Sequence, residues 1–339
     1  GSGLTQKQFD DDKPRLLLIL SYQRCGSSFF GDVFGRHKDA MYIYEPLDGL
    51  YNYMYGTKQG WNVPSDITNY VNGTPRIPPR REVEAVTDLL SNLFDCNTDA
   101  IPTSVLYHGF WKLFKKHHLS VVNFLGCSVR HRLYKIERCR QESLSTTCPD
   151  RLNPSNHLLD KCRTALEKVR TTNESVQNVN FMKYVKCLDD VRSKATKCDQ
   201  VLTSICHNRK LIAIKTVRAT MESVEDLLRR HRNLRIIHLI RDPRAVVLSR
   251  KRFGTSSYGI YSTFQNNKTM DLMKEAQLYC STLIRDINKR KQLQNKYPGA
   301  IIEVVYEKFV QDLARNAKEL YKFIDVPFTE RYICLVEKE

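Results

Sequence analysis

The sequence predicts an α/β fold in which helices flank a parallel sheet and a cysteine-rich helical insertion interrupts it. Short apolar runs alternate with stretches whose apolar residues recur at helical spacing, which favours strands joined by crossover helices. Hydrophobic residues make up 41% of the 339 residues, which excludes wholesale disorder. Seven of the 11 cysteines fall within 127–206, where strand signals are few. We therefore expect one domain over 15–339, with an insertion at about 127–208.

The N-terminal part has the order strand, loop, helix, strand. Apolar residues recur at helical spacing directly after the first loop, and Pro46 ends the second apolar run. Residues 47–80 are rich in Tyr, Gly, Asn and Pro, which is typical of surface loops. The expected segments are a strand over 15–21, a polar loop over 22–28, a helix from 29, a strand over 41–44, loops over 47–80 and a helix over 82–94.

Regular alternation resumes after the insertion, and Pro243 stands where it would open a helix. The insertion itself predicts helices over 160–169 and 181–197. The later strands are expected over 211–217, 234–240 and 301–306, and the later helices over 221–230, 244–251, 271–296 and 307–324. Strands separated by helices indicate a parallel sheet, which binds its ligands at the carboxyl ends of the strands.

The clustered cysteines favour disulfides in an oxidising, secretory compartment, with Cys25 left as an isolated free thiol. Their spacing fits no zinc module, and a scatter of buried thiols is the alternative. Three glycosylation sequons, at Asn72, Asn173 and Asn267, are compatible with that compartment. We interpret residues 1–14 as an expression scar followed by a leader remnant. No apolar run approaches the roughly 18–20 residues that cross a bilayer.

The loop 24–28, Arg-Cys-Gly-Ser-Ser, can hold a phosphate. Its N–H groups and the helix N-terminus suit an anion, and Arg24, Ser27 and Ser28 add side-chain donors. It is not a Walker A loop, because GxxxxGK[ST] is absent. A Gly-Ser turn before a helix is also often a simple cap.

A second basic loop follows the strand 234–240. Arg241 stands at the strand end, and Ser249 follows about two helical turns later. One phosphate can contact both only if the strand end and the helix face pack together. The alternative is an ion-paired Asp242–Arg244 turn, with 250–252 as a solvated basic face.

Taken together, four ordered motifs resemble those of the Golgi carbohydrate sulfotransferases, particularly the galactose, N-acetylglucosamine and N-acetylgalactosamine 6-O-sulfotransferase group. Residues 24–29 (RCGSSF) are similar to the 5′-phosphosulfate loop, and 240–250 (IRDPRAVVLSR) to the 3′-phosphate motif. Residues 44–47 (YEPL) match the E-P-L turn, and 306–312 (YEKFVQD) resemble the Y-E-D-L segment. Lys308 and the insertion depart from the family pattern.

The resemblance implies a P-loop-like fold and transfer of a sulfuryl group from 3′-phosphoadenosine 5′-phosphosulfate (PAPS) to a sugar hydroxyl, with no metal. Arg24 would also stabilise the leaving phosphate. The residues implied to bind PAPS are Arg24, Cys25, Gly26, Ser27, Ser28, Phe29, Arg241 and Ser249. Glu45, at a strand end, is the candidate general base. The alternatives for Glu45 are acceptor binding and bracing of the loop, while Lys215 and Arg218 are candidate substrate-binding residues.

The implied acceptor is a glycan or glycosaminoglycan, and the net charge of +17 suits an anionic partner. The expected setting is the Golgi lumen, with a membrane-anchoring N-terminal helix removed from this sequence. A basic run over 130–140 could attract nucleic acid, but no base-reading motif accompanies it, so no nucleic-acid partner is expected. A non-catalytic glycosaminoglycan-binding protein is the alternative function. A nucleotide kinase is disfavoured, because the Walker lysine and a Mg²⁺-binding set are missing.

Overall fold

The computed structural model describes residues 13–55, 77–108, 115–133, 175–252, 255–256, 259–260 and 272–329. The strands are β1 (Arg15–Leu20), β2 (Ala40–Tyr44), β3 (Leu211–Thr216), β4 (Leu234–Ile240), β5 (Thr255–Ser256), β6 (Gly259–Ile260) and β7 (Ile301–Val305). The helices of the first half are α1 (Ser27–Gly35), α2 (Leu47–Tyr55), α3 (Arg80–Phe94), α4 (Thr103–Leu106), α5 (Val122–Arg130) and α6 (Ser175–His207). Those of the second half are α7 (Met221–Arg230), α8 (Pro243–Arg252), α9 (Leu272–Lys296), α10 (Tyr306–Gln311) and α11 (Leu313–Phe323).

Five strands form one parallel sheet in the order β2-β3-β1-β4-β7. All five end at the same edge, because neighbouring parallel strands run in one direction. The central strands are apolar on both faces. In β1, for example, none of the side chains from Leu16 to Leu20 is more than 4% exposed. The loops after β1, β2, β3 and β4 therefore meet at one edge of a buried sheet, which confirms the predicted α/β class.

Helix α1 packs closely against β2. A Cβ at Gly31 would lie 2.0 Å from the Tyr42 hydroxyl, and one at Gly35 would lie 2.7 Å from the Tyr42 ring. These two glycines lie one helical turn apart, so they form a flat face that accepts the tyrosine ring. The packing fixes the position of the α1 N-terminus relative to the end of β2.

The C-terminal half of α6 belongs to the main core, with Ala195, Cys198, Leu202 and Cys206 buried in it. Disulfides join Cys127 to Cys198 and Cys96 to Cys206. Cys187 is also disulfide-bonded, and Cys25 is a free buried thiol, so the prediction is confirmed for the described cysteines of the insertion and for Cys25. Cys25 is not the isolated free thiol that the sequence predicts, because Cys280 is free as well. Cys139, Cys148, Cys162, the three sequons and the helix expected over 160–169 lie outside those residues.

Two expectations about secondary structure are wrong. Residues 47–55 form α2 instead of a loop, because Leu47, Leu50 and Tyr51 give it a buried face despite its loop-like composition. The single helix expected over 307–324 is broken at Asp312, whose side chain accepts a hydrogen bond from the Arg315 N–H and caps α11. Within the described ranges, no helix has the length and apolarity needed to cross a membrane.

Candidate active site

The loop between β1 and α1 is a tight turn that requires glycine. The Cys25 N–H donates to the Tyr22 carbonyl at 3.1 Å, and Arg24 and Gly26 both have left-handed backbones, with φ of 71° and 78°. A Cβ at Gly26 would lie 2.3 Å from the Tyr306 ring, which follows β7. Gly26 is therefore needed both for its backbone conformation and for the close approach of Tyr306.

The N-terminus of α1 opens at the carboxyl edge of the sheet. The Phe30 N–H makes the first bond of the helix, to the Gly26 carbonyl, and Gly26 caps the helix without a side chain. The N–H groups of the first turn thus have no intrahelical acceptor and suit a phosphate. Ser28 lies in this turn, while Ser27 is buried and Phe29 packs against the core.

The two predicted phosphate loops are in direct contact. Arg24 Nε donates to Ser249 Oγ at 3.1 Å, and an Arg241 guanidinium N–H donates to the Arg24 carbonyl at 3.2 Å. Arg241 also lies over the Tyr306 ring, 4.8 Å from its centroid. Arg241 and Ser249 thus both contact Arg24, so the strand end and the helix face are packed together, which is the condition for one phosphate to contact both residues.

Positive charge accumulates at this junction. The pKa of Arg24 is lowered, mainly because the side chain is partly buried. The positive charge of Arg241 lowers this pKa further, whereas Tyr44 acts to raise it. The charge of Arg241 disfavours that of Arg24, and an anion bound between the two guanidiniums would relieve this repulsion. The junction is therefore an anion-binding arrangement.

Arg250, which follows the second loop on α8, braces the first loop. The Asp242–Arg244 ion pair is present, with 2.6 Å between the Arg244 guanidinium and Asp242, and Arg244 is 88% exposed. Arg250, which the alternative interpretation places on a solvated face, is 4% exposed. It pairs with Glu275 at 2.6 Å and donates to the Gln23 carbonyl at 3.3 Å, because packing of α8 on α9 encloses it. Sequence reasoning missed this role, since both partners are distant in sequence.

Glu45 is held between two cations. It is 1% exposed, has φ of 53°, and follows β2 directly. One carboxylate oxygen accepts from Lys215 Nζ at 2.7 Å and the other from Arg218 at 2.6 Å. Burial acts to lower the pKa of Arg218, but the carboxylates of Asp48 and Glu45 outweigh it, so that pKa is raised. The structure thus brings the candidate base and both candidate substrate-binding residues into one buried cluster.

Tyr44 connects this cluster to the first phosphate loop, and sequence reasoning missed it as a site residue. Its hydroxyl lies 2.9 Å from Ser28 Oγ, and Lys215 Nζ lies over its ring, 4.4 Å from the centroid. The His117 ring stacks on Tyr44 at 4.6 Å and is itself held by Asp32. The available signal was its place at the end of a strand, directly before Glu45.

A buried hydrogen-bond chain holds the start of the phosphate loop. Arg290 lies 3.0 Å from His238 Nδ1, His238 Nε2 lies 2.9 Å from the Tyr22 hydroxyl, and that hydroxyl donates to Asp286 at 2.9 Å. Because Arg290 can only donate, Nδ1 accepts and the Nε2–H donates to Tyr22. Burial and Arg290 lower the pKa of His238 to about 3, so the ring stays neutral at neutral pH.

Cys25 does not present its thiol to the site. The side chain is fully buried, lies 3.4 Å from the Tyr279 hydroxyl, and has its pKa raised by burial. Elsewhere, ligand atoms of Cys127, His131 and Cys198 lie within 4.8 Å of one another, a spacing that a metal could use. The disulfide between the two cysteines removes the thiolates that such a metal requires.

Comparison with known proteins identifies the family of the chain. Residues 131–330 match the model of the Sulfotransferase family. The chain belongs to the sulfotransferase family. The matched segment contains Arg241 and Ser249, whereas the 24–29 loop and Glu45 precede it. The membership of the sulfotransferase family that the motifs imply is thereby confirmed.

Relatives with similar sequences include several carbohydrate sulfotransferases. The chain is 24% identical to human carbohydrate sulfotransferase 1 over 92% of its own length and 64% of that protein. It is 23% identical to human carbohydrate sulfotransferase 3, covering 96% of this chain and 57% of that protein. The chain thus spans less than two thirds of the length of these two relatives. Among solved structures, the sulfotransferase domain of the curacin biosynthetic pathway is 14% identical with a TM-score of 0.38, covering 94% of this chain and 76% of that one.

Proposed function

We propose that this protein transfers the sulfuryl group of PAPS to a sugar hydroxyl. The observation that carries the proposal is the junction of the two phosphate loops through Arg24, Ser249 and Arg241. A ligand with phosphates at both ends of one nucleoside fits two anion sites in contact with each other. PAPS is such a ligand, and the family match over 131–330 supports it as the donor.

The 5′-phosphosulfate lies, in this proposal, at the α1 N-terminus, and the 3′-phosphate lies at Arg241 and Ser249. During transfer, the sulfur–oxygen bond to the phosphate breaks and its electron pair remains on the phosphate. Arg24 and the N–H groups of the first turn face this growing charge, so they stabilise the transition state more than the ground state. Arg241 and Ser249 contact the remote phosphate and contribute binding without taking part in the chemistry.

Glu45 accepts the acceptor's hydroxyl proton in this scheme. Both of its oxygens are occupied by Lys215 and Arg218. One of these contacts must therefore lengthen when the sugar hydroxyl approaches. Arg218 has a second carboxylate partner, Asp48 at 2.6 Å, so its contact with Glu45 is the easier one to release.

The acceptor is proposed to be the 6-hydroxyl of galactose, N-acetylglucosamine or N-acetylgalactosamine in a glycan or glycosaminoglycan. The relatives named for carbohydrates and the net charge of +17 support this class. The disulfides support an oxidising compartment, and we propose the Golgi lumen with a membrane anchor outside this sequence. The proposed transfer relies on the positive charge of guanidinium and N–H groups and uses no metal.

The proposal is tested by incubating the protein with PAPS labelled with radioactive sulfate and a panel of desulfated glycans. We expect label on at least one glycan containing galactose or N-acetylhexosamine. Arg24→Ala should abolish most of the transfer. Arg244→Ala is the matched control, because it removes an exposed arginine of the second loop that contacts Asp242 instead of the junction. A wild-type protein that labels no glycan, or equal losses in both variants, would overturn the proposal.

A further inference from the structure

Two tyrosines of β2 lie on the same side of the strand, two residues apart, and differ in what their hydroxyls contact. The Tyr42 hydroxyl is buried and has no hydrogen-bond partner among the described residues. Its ring instead fills the flat face that Gly31 and Gly35 leave on α1. The Tyr44 hydroxyl lies 2.9 Å from Ser28 Oγ, in the first turn of α1. One tyrosine therefore packs the core, and the other reaches the phosphate-binding turn.

The pair formed by Tyr44 and Ser28 can donate to an anion. Each hydroxyl has one hydrogen and can also accept, so either one can be the donor in their contact. Ser28 stands beside the N–H groups of the helix end, where the sulfated end of the donor is proposed to lie.

The surroundings of Tyr44 fix the direction of its hydroxyl. Lys215 Nζ lies 4.4 Å from its ring centroid, and the stacked His117 ring lies 4.6 Å away at an interplanar angle of 15°. His117 is anchored in turn by Asp32 at 2.9 Å. Because these contacts already fix the Tyr44 ring, the side chain loses little further conformational freedom when its hydroxyl changes partner. Such pre-organised donors are the ones that contribute most to catalysis.

We propose that the Tyr44 hydroxyl donates a hydrogen bond to a non-bridging oxygen of the sulfuryl group during its transfer, replacing its contact with Ser28. This inference rests on the proposed function. The sulfur–oxygen bond to the phosphate breaks with its electron pair leaving on the phosphate, while the acceptor oxygen forms the new bond to sulfur. The acceptor's proton passes to Glu45. Tyr44 keeps its own proton and is unchanged at the end.

Tyr44→Phe isolates the hydroxyl, because it retains the ring that Lys215 and His117 contact. We expect kcat for sulfuryl transfer to fall by about 10²-fold, the usual effect of removing one pre-organised donor from the reacting group. The affinity for 3′,5′-adenosine bisphosphate, which lacks the sulfuryl group, should stay at the wild-type value, as should KM for the acceptor. Tyr42→Phe is the matched control and should leave kcat unchanged, since its hydroxyl has no partner among the described residues.

The outcomes separate this inference from the proposed function. If wild type transfers label and Tyr44→Phe has the same kcat, the inference is wrong and the function stands. If Tyr44→Phe instead loses affinity for the bisphosphate in proportion to its loss of rate, Tyr44 is a nucleotide-binding residue and the inference is again wrong. A wild-type protein with no transfer overturns both. A loss of thermal stability with unchanged kcat per folded molecule would show a purely structural role and would also overturn it.

Discussion

Glu45→Gln is expected to reduce turnover and stability for two separable reasons. The glutamine is nearly isosteric but cannot accept the hydroxyl proton, so kcat should fall by about 10²–10⁴-fold. It also leaves the ammonium of Lys215, 2% exposed, without the carboxylate it contacts at 2.7 Å. Breaking a buried pair costs about 3–5 kcal/mol. We expect about 3 kcal/mol here, because the amide oxygen still accepts from Lys215 and Arg218 keeps Asp48.

The assay combines urea denaturation, calorimetry with 3′,5′-adenosine bisphosphate and initial rates of sulfuryl transfer. The double variant Glu45→Gln/Lys215→Met is the informative partner, because removing both charges from a buried pair restores stability in many proteins. It should regain most of the free energy of unfolding and remain inactive. A folded Glu45→Gln protein with near-wild-type kcat would refute the assignment of Glu45 as the base. A free energy of unfolding equal to wild type would refute the argument about the buried pair.

Three further outcomes are expected. Arg241→Ala should weaken binding of 3′,5′-adenosine bisphosphate by about 2–3 kcal/mol in calorimetry. An unchanged affinity would contradict the proposal that the two loops bind one nucleotide. Gly26→Ala should lower the free energy of unfolding by at least about 1–2 kcal/mol, because φ is 78° and Tyr306 must move; a wild-type urea midpoint would contradict this. Replacing both Cys127 and Cys198 by serine opens a link across 71 residues and should cost up to about 4 kcal/mol in the same assay while leaving nucleotide affinity intact. Equal stability with and without that disulfide would contradict the loop-closure reasoning.

Local patterns were sufficient to predict most of the sheet and several helices. The strand over 234–240 and the helix over 221–230 were predicted with the observed bounds, because their apolar spacing agrees with their burial in the structure. Helix α2 was missed because composition was given more weight than the spacing of Leu47, Leu50 and Tyr51. The break at Asp312 was missed because one capping side chain decides it. Helix propensity averaged over a long segment does not reveal that a single capping residue divides it into two helices.

The contacts that define the site could not be predicted from local patterns. Arg24 meets Ser249 across 225 positions, and Lys215 meets Glu45 across 170. The second contact depends on β2 lying beside β3 in a register that pairs Tyr44 with Lys215. Strand order and register are properties of the whole sheet, so the sequence indicated which loops share an edge but not which side chains pair. The roles of Glu45, Lys215 and Arg218 in the reaction remain predictions.

The claim that the two loops hold the two ends of one sulfate donor is tested most directly by comparing two nucleotides on the wild-type protein. Calorimetry would measure the affinities for 3′,5′-adenosine bisphosphate and for adenosine 5′-monophosphate, which differ only in the phosphate assigned to Arg241 and Ser249. The charge-assisted hydrogen bonds to this phosphate are worth about 2–3 kcal/mol, which corresponds to a change of about 30–150-fold in the dissociation constant. The bisphosphate should therefore bind at least about 30-fold more tightly than the monophosphate. Equal affinities for the two nucleotides would contradict the account.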